Sequence, residues 1–285
     1  MDFVYTIAGF AVGAIVGLTG VGGGSLMTPL LVLMFGIHPS VAVGTDLLYA
    51  AITKAGGPLA HGLKGTVDWK ITRLLATGSL PAAAITLALV GWLAPGGIEG
   101  AAHLIQVALG VALVLTAIAL IFRKRIQAYA VARSGGRPED PARTARLTIL
   151  TGAVLGVLVS ISSVGAGALG VTALFFLYPA MPALRIVGSD IAHAVPLTAV
   201  AGIGHWFLGS VDWLLLGSLL IGSLPGIWLG SHISTKVPDR ILRAIDRPVI
   251  DHRGPEFAKL AKRALVGGGR PHDMNFHEGQ TVTHR

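Results

Sequence analysis

Repeated apolar runs long enough to cross a lipid bilayer are the feature that most limits what this chain can become. Segments such as Ala101 to Phe122 and Leu214 to Ile233 match the roughly 20 residues needed to span ~30 Å of hydrocarbon. A mean hydropathy of +0.71, with only 13% charged residues, excludes a soluble domain of this size. Backbone polar groups find no water in lipid, so the spans must be helical. The expected fold class is therefore an all-α polytopic membrane protein. The apolar segments run roughly 3 to 19, 25 to 36, 40 to 61, 71 to 94 and 101 to 122, then 147 to 163, 167 to 178, 183 to 208 and 214 to 233.

The first run is broken by Gly17-Leu18-Thr19-Gly20-Val21-Gly22-Gly23-Gly24-Ser25. Glycines at this density mark a loop, and within a membrane a loop survives only where protein or a water-filled cavity covers its backbone. The break is therefore a candidate site. It recurs: Val21-Gly22-Gly23-Gly24 matches Val164-Gly165-Ala166-Gly167, and Val43-Gly44-Thr45-Asp46 matches Val187-Gly188-Ser189-Asp190. His61 pairs with His205, Val67-Asp68-Trp69 with Val211-Asp212-Trp213, and Gly78-Ser79-Leu80-Pro81 with Gly222-Ser223-Leu224-Pro225. From Gly44 onward the offset is a constant 144, which makes the chain an internal duplication.

Orientation follows from Lys and Arg. The stretch from Arg123 to Arg146 holds seven of them and reads as cytoplasmic, which places the loop containing Lys64 and Lys70 inside and its repeat partner, Leu208 to Trp213, outside. The expectation is an inverted-topology repeat, a signature of secondary transporters with a site near the bilayer midplane. The two glycine-broken segments become hairpins entering from opposite faces. Arms of about 15 residues reach only ~22 Å, so the turns stop inside the membrane. Helix N-termini near Ser25 and Ala168 then offer free N–H groups to a small anion.

The domain reading is a first transmembrane repeat over 1–122, a basic cytoplasmic linker over 123–146, a second and inverted repeat over 147–234, and a polar basic tail over 235–285. The formal charge of +8 lies in loops and tail, where it sets topology rather than binding nucleic acid. Asp2 with no basic residue before the first apolar run argues for a retained membrane segment rather than a cleaved signal. In the tail, Phe257, Leu260, Ala261, Ala264 and Leu265 recur at helical spacing between basic residues, as in a helix lying on an anionic membrane surface. His272, His277 and His284 read as a polar terminus and not as a metal site.

The glycine-rich first hairpin, the Ala42-Val43-Gly44-Thr45-Asp46 stretch and the repeated Val-Asp-Trp loop resemble the TauE/SafE family of sulfite and organosulfur anion exporters. The resemblance covers about residues 3 to 243. It implies an all-helical prokaryotic cytoplasmic-membrane protein that moves small sulfur-containing anions such as sulfite, thiosulfate or sulfonates. The sequence departs from that pattern in two places. After Arg243 it continues Ala-Ile-Asp-Arg-Pro-Val-Ile-Asp-His-Arg-Gly-Pro, which cannot form the last span. Asp46 and Asp190 stand where members often carry a small polar residue, which suggests a proton-linked variant.

Candidate residues divide by role. Gly22, Gly23, Gly24, Ser25, Gly165 and Gly167 would bind the anion through backbone groups, with Lys54 as the cationic partner. Asp46, Asp190 and His193 are the coupling or gating candidates, because ionisable groups within spans are costly and usually face a cavity or a partner. The plainer readings are an Asp hydrogen-bonded to backbone near the turn, a Lys54 that snorkels to the headgroups, and a packed neutral His193. His61 and His205 read as interfacial structural residues, Asp68 and Asp212 as helix N-caps, and Trp69 and Trp213 as interface anchors. Gly165-Ala166-Gly167-Ala168-Leu169-Gly170 formally matches a dinucleotide-binding motif but lacks the strand that must precede it. No nucleotide-phosphate, zinc-hydrolase or serine-hydrolase motif is present, so the reading is a carrier without cofactor or metal, not an enzyme. An ion or solute channel and a non-transporting membrane partner are the alternatives. The sequence leaves the oligomeric state open.

Overall fold

The computed structural model describes residues 3–19, 26–55, 66–93, 100–134 and 140–236, and among these every regular element is an α-helix. In chain order they are α1 (Phe3–Thr19), α2 (Met27–Leu33), α3 (Pro39–Lys54), α4 (Trp69–Leu93), α5 (Ala102–Ser134), α6 (Pro141–Ser162), α7 (Ala168–Leu177), α8 (Ala183–Phe207) and α9 (Trp213–Lys236). Five are long and apolar enough to cross a membrane: α4, α5 over Ala102–Arg123, α6, α8, and α9 over Trp213–Ile233. This is the expected multi-pass helical membrane protein. Among the described residues no counterpart of α5 follows α9.

The broken segments have unequal arms. At about 1.5 Å per residue, α2 and α7 reach only ~10 and ~15 Å, while α1 reaches ~26 Å and α6 ~33 Å. The first arm of the second hairpin is thus longer than expected. It starts at Pro141, where the Asp140 side chain accepts a hydrogen bond from the Ala142 N–H. Helix α5 continues past Phe122 to Ser134, and the Arg123 guanidinium lies 5.1 Å from the centre of the Phe175 ring of α7.

Two crossed helix pairs, α1 on α9 and α4 on α6, make the most extensive interfaces. Their sequences explain this. In lipid there is no hydrophobic drive between apolar helices, so association depends on small residues that let backbones approach. Gly9, Gly13 and Gly17 of α1 recur every fourth residue, as do Gly222, Gly226 and Gly230 of α9, and a methyl added at any of them would strike the partner's backbone. Gly78 of α4 and Gly152 and Gly156 of α6 do the same at the other crossing.

Helices α3 and α8 pack on each other, with α4 beside α8 and α9 beside α3. Helix α8 is the most enclosed span, with 61% of its membrane window buried against 28% for α4. Two reciprocal hydrogen bonds hold this centre. The Asp68 N–H donates to Ser189 Oγ at 2.8 Å, and the Asp212 N–H donates to Thr45 Oγ1 at 3.1 Å.

Candidate functional site

Helix α3 begins on Pro39, whose fixed φ suits a first helical position, and after the small residues Ala42, Val43 and Gly44 it buries Thr45 and Asp46 completely. The Asp46 side chain reaches both hairpin breaks. Its Oδ2 accepts from the Thr28 N–H at 3.2 Å, from Thr28 Oγ1 at 2.5 Å and from Ser163 Oγ at 2.9 Å. Thr28 is the second residue of α2, and Ser163 caps the end of α6. A protein carboxylate therefore occupies the N-terminus of the short helix, where an anion is favoured by free N–H groups and the helix dipole. The Oδ1 atom has no partner. Ser163 holds φ +58°, left-handed backbone that a non-glycine residue adopts at a cost.

Asp190 lies in the equivalent place on α8 and is 1% exposed, yet neither carboxylate oxygen has a hydrogen-bond partner. Its Oδ1 rests against the Cα of Gly170 in α7, and a Cβ at that position would overlap it. The repeat offset changes from 143 to 144 between Gly24 and Val43, so Thr28 corresponds to Val171 or Thr172; Val171 lies in an apolar cluster and the Thr172 hydroxyl donates to the Ala168 carbonyl, so neither serves Asp190. One turn on, His193 places Nε2 at 2.7 Å from Ser79 Oγ of α4, and its Nδ1 is unpartnered. The histidine is thus engaged by serine and not by Asp190.

Position 49, which corresponds to 193, holds Tyr49. Its buried hydroxyl faces Ser223, the counterpart of Ser79, without the geometry of a hydrogen bond. Lys54, in the last turn of α3, lies within electrostatic reach of both Asp190 and Asp46 and is hydrogen-bonded to neither. Its own surface is partly exposed.

The second glycine break is built as expected for a turn that only glycine adopts easily. Gly165 and Gly167 have φ of +121° and +126°, and Gly167 is the N-cap of α7 with no side-chain cap bond. Gly22, Gly23, Gly24 and Ser25 lie outside the described residues, as do His61, Lys64 and the tail from 237 onward. Asp46, Asp190 and His193 are thus buried on the packed helices α3 and α8, with Gly170 of α7 directly beside Asp190, and the partly exposed Lys54 lies within electrostatic reach of both carboxylates.

Other expectations divide. Asp68 and Asp212 cap their helices: Asp68 Oδ1 accepts from the Lys70 and Ile71 N–H groups, and Asp212 Oδ1 from those of Leu214 and Leu215. Trp69 and Trp213 are 52% and 54% exposed. His205, in the last turn of α8, has a structural role. It is 1% exposed, with Nδ1 at 2.9 Å from Ser210 Oγ and Nε2 at 2.8 Å from the Ser160 carbonyl, so it ties α8 to α6. Two cavities of about 310 and 340 Å³ lie at the α4/α8 face and at the start of α4 and α6, and neither is lined by Asp46 or Asp190.

Sequence comparison adds a relationship to this geometry. A family model described as sulfite exporter TauE/SafE matches residues 5–245. The chain is 42% identical over 251 residues to the probable membrane transporter protein YjnA of Bacillus subtilis (strain 168), covering 88% of this chain and 97% of the relative. It is 25% identical to the probable membrane transporter protein YdhB of the same organism, covering 82% and 91%. A probable membrane transporter protein of Xylella fastidiosa (strain 9a5c) is 26% identical, covering 80% and 83%. No solved structure gives a significant match.

Proposed function

Because the chain belongs to the TauE/SafE family of membrane transporters, we propose that it is a carrier for a small sulfur-containing anion, of the class of sulfite, thiosulfate or a sulfonate, working in a proton-linked cycle and not as an enzyme. The observation that carries this reading is the pair of buried carboxylates, Asp46 and Asp190, inside a membrane bundle that also holds a glycine turn, with a partly exposed Lys54 within electrostatic reach of both. Ionisable groups are retained at such depth for a pathway or a relay. The anion would bind at the glycine turns, through backbone groups of Gly22, Gly23, Gly24 and Ser25 on one side and Gly165 and Gly167 on the other, with Lys54 as counter-charge. Asp46, Asp190 and His193 would couple or gate the cycle.

Geometry favours the second turn over the first. The Thr28 N–H at the start of α2 already serves Asp46, whereas no side chain caps α7. In this reading the halves have opposite orientation, and α3 and α8 form the contact across which access alternates.

The test is counterflow of labelled sulfite, thiosulfate and a small sulfonate in proteoliposomes, with and without a pH gradient. Saturable, competitor-sensitive exchange of one of them is the expected result. Non-saturable flux would indicate a channel, and no flux from a folded preparation would remove the sulfur-anion assignment.

A further inference from the structure

We infer that the two buried carboxylates have separate tasks: Asp46 remains an anion that pins the two hairpin breaks together, while Asp190 is the carboxyl that loads and releases the coupling proton. This rests on the anion-carrier reading above and divides its coupling residues.

Donor counting gives the first half. Three donors converge on Asp46 Oδ2, two from Thr28 in the first hairpin and one from Ser163 at the end of α6. Charge-assisted bonds of this kind hold a carboxylate in place as an ion. The Ser163 bond joins residues 117 apart, across the two halves, while the two Thr28 bonds span 18 residues within the first. Asp46 is thereby a latch, and giving it a proton would compete with the donors that close it.

Asp190 has the opposite surroundings. Among the described residues no donor reaches either oxygen, and Gly170 of α7 lies directly against Oδ1 in a membrane-spanning bundle. A bare carboxylate at such a place carries the full cost of lost hydration, whereas a proton makes it an ordinary small polar group. The charged and titratable groups around it are few. Helix α3 supplies Asp46, Tyr49 and Lys54, and α8 itself supplies His193. Helix α4 contributes the Ser79 hydroxyl and carries Lys70 and Arg73 only in its first two turns; α6 carries Arg143 and Arg146 in its first two turns, and α7 carries none.

The charge sum then ties proton to anion. With Asp46 and Asp190 both ionised and Lys54 cationic, the centre holds one excess negative charge, and an entering monoanion would make it two. With Asp190 protonated the empty centre is neutral, and the monoanion adds one charge beside Lys54. Uncompensated buried charge is costly enough that the second order is the one followed. On release, the Asp190 O–H bond breaks, the electron pair stays on the carboxylate, the proton passes to water on the side to which the site opens, and Lys54 becomes the counter-ion. His193, fixed through Nε2 by Ser79, acts as a positioning residue one turn away.

Two measurements on the full-length chain decide the matter. In proteoliposomes with labelled sulfite, Asp190→Asn is expected to lose uptake driven by a pH gradient about a hundredfold, as for a lost proton-transfer group, while counterflow falls by less than about tenfold. Asp46→Asn loses both modes together. Equal loss of both modes in Asp190→Asn, or retained gradient-driven uptake, overturns the division of tasks. Absence of sulfite counterflow in the unaltered protein instead removes the anion reading. The second measurement needs no substrate: dicyclohexylcarbodiimide adds to a protonated carboxyl in an apolar setting to give an N-acylurea, located by peptide mass spectrometry. Modification of Asp190 and not Asp46 is expected. Modification of Asp46, or of neither, overturns the inference.

Discussion

Asp46 and Asp190 occupy the same position in the two copies of one repeated sequence, and they live in opposite chemical conditions. Around them the scaffold is matched: Thr45 and Ser189 each receive an N–H from the other half's aspartate cap, and Ser79 and Ser223 stand at corresponding places beside His193 and Tyr49. The differences are confined to a few side chains. Tyr49 gives way to His193 and Lys54 to Thr198, and the donors that Thr28 supplies to Asp46 have no counterpart at Asp190. Matched hydrogen bonds can thus hold the surroundings constant while one buried acid is tied down and the other is left without donors.

The most severe way to break this comparison is to neutralise each acid in turn. Asp46→Asn should destabilise the chain by about 1.5–3 kcal/mol, the worth of a hydrogen bond to a charged group, and Asp190→Asn by much less. Equilibrium unfolding in detergent would check this, and the reverse order would end the argument that Asp46 is the latch. Next in size is Gly170→Ala, whose methyl would overlap Asp190 Oδ1. It is expected to impair gradient-driven transport about tenfold, within the range for a displaced proton-transfer group, at nearly normal expression.

Smaller effects sharpen the same contrast. Thr28→Val keeps the shape and removes one hydroxyl donor from Asp46, for a loss of about 1 kcal/mol. Ser163→Ala removes the other donor and retains the left-handed backbone, whereas Ser163→Gly also relieves that strain, so the glycine variant should be the more stable of the two by a few tenths to about 1 kcal/mol. Asp68→Ala and Asp212→Ala probe what the halves share. Each should cost about 1 kcal/mol as a lost N-cap, and clearly unequal costs would show that the matched scaffold is less symmetric than its hydrogen bonds.

The spans, the glycine breaks and the buried aspartates are legible in the sequence because each leaves a local mark: apolar length, a run of glycines, or a charge where none is cheap. The N-caps are legible for the same reason, since Asp68 and Asp212 act on amides two and three residues away. What closes around Asp46 is not. Ser163 lies 117 residues away, and Thr28 stands in an apolar arm where a lone threonine attracts no notice. Ser79 is a partial exception. Its place in the repeated Gly-Ser-Leu-Pro stretch marks it, although nothing in that stretch names His193, 114 residues on, as its partner. His205 is marked by its recurrence near a helix end, but that position says nothing of the Ser160 carbonyl that α6 brings to it.

The glycine-lined crossings also bear on how the chain is made. Helix α4 finds its partner α6 within about 50 residues of synthesis, but the glycine face of α1 fits only α9, about 200 residues later in the chain. At roughly 5–20 residues per second, α1 waits in the bilayer for roughly 10–40 s before the surface it was shaped for arrives. The first helix to enter the membrane is therefore among the last to be locked in place, and a ribosome that stops before Trp213 leaves it without its partner.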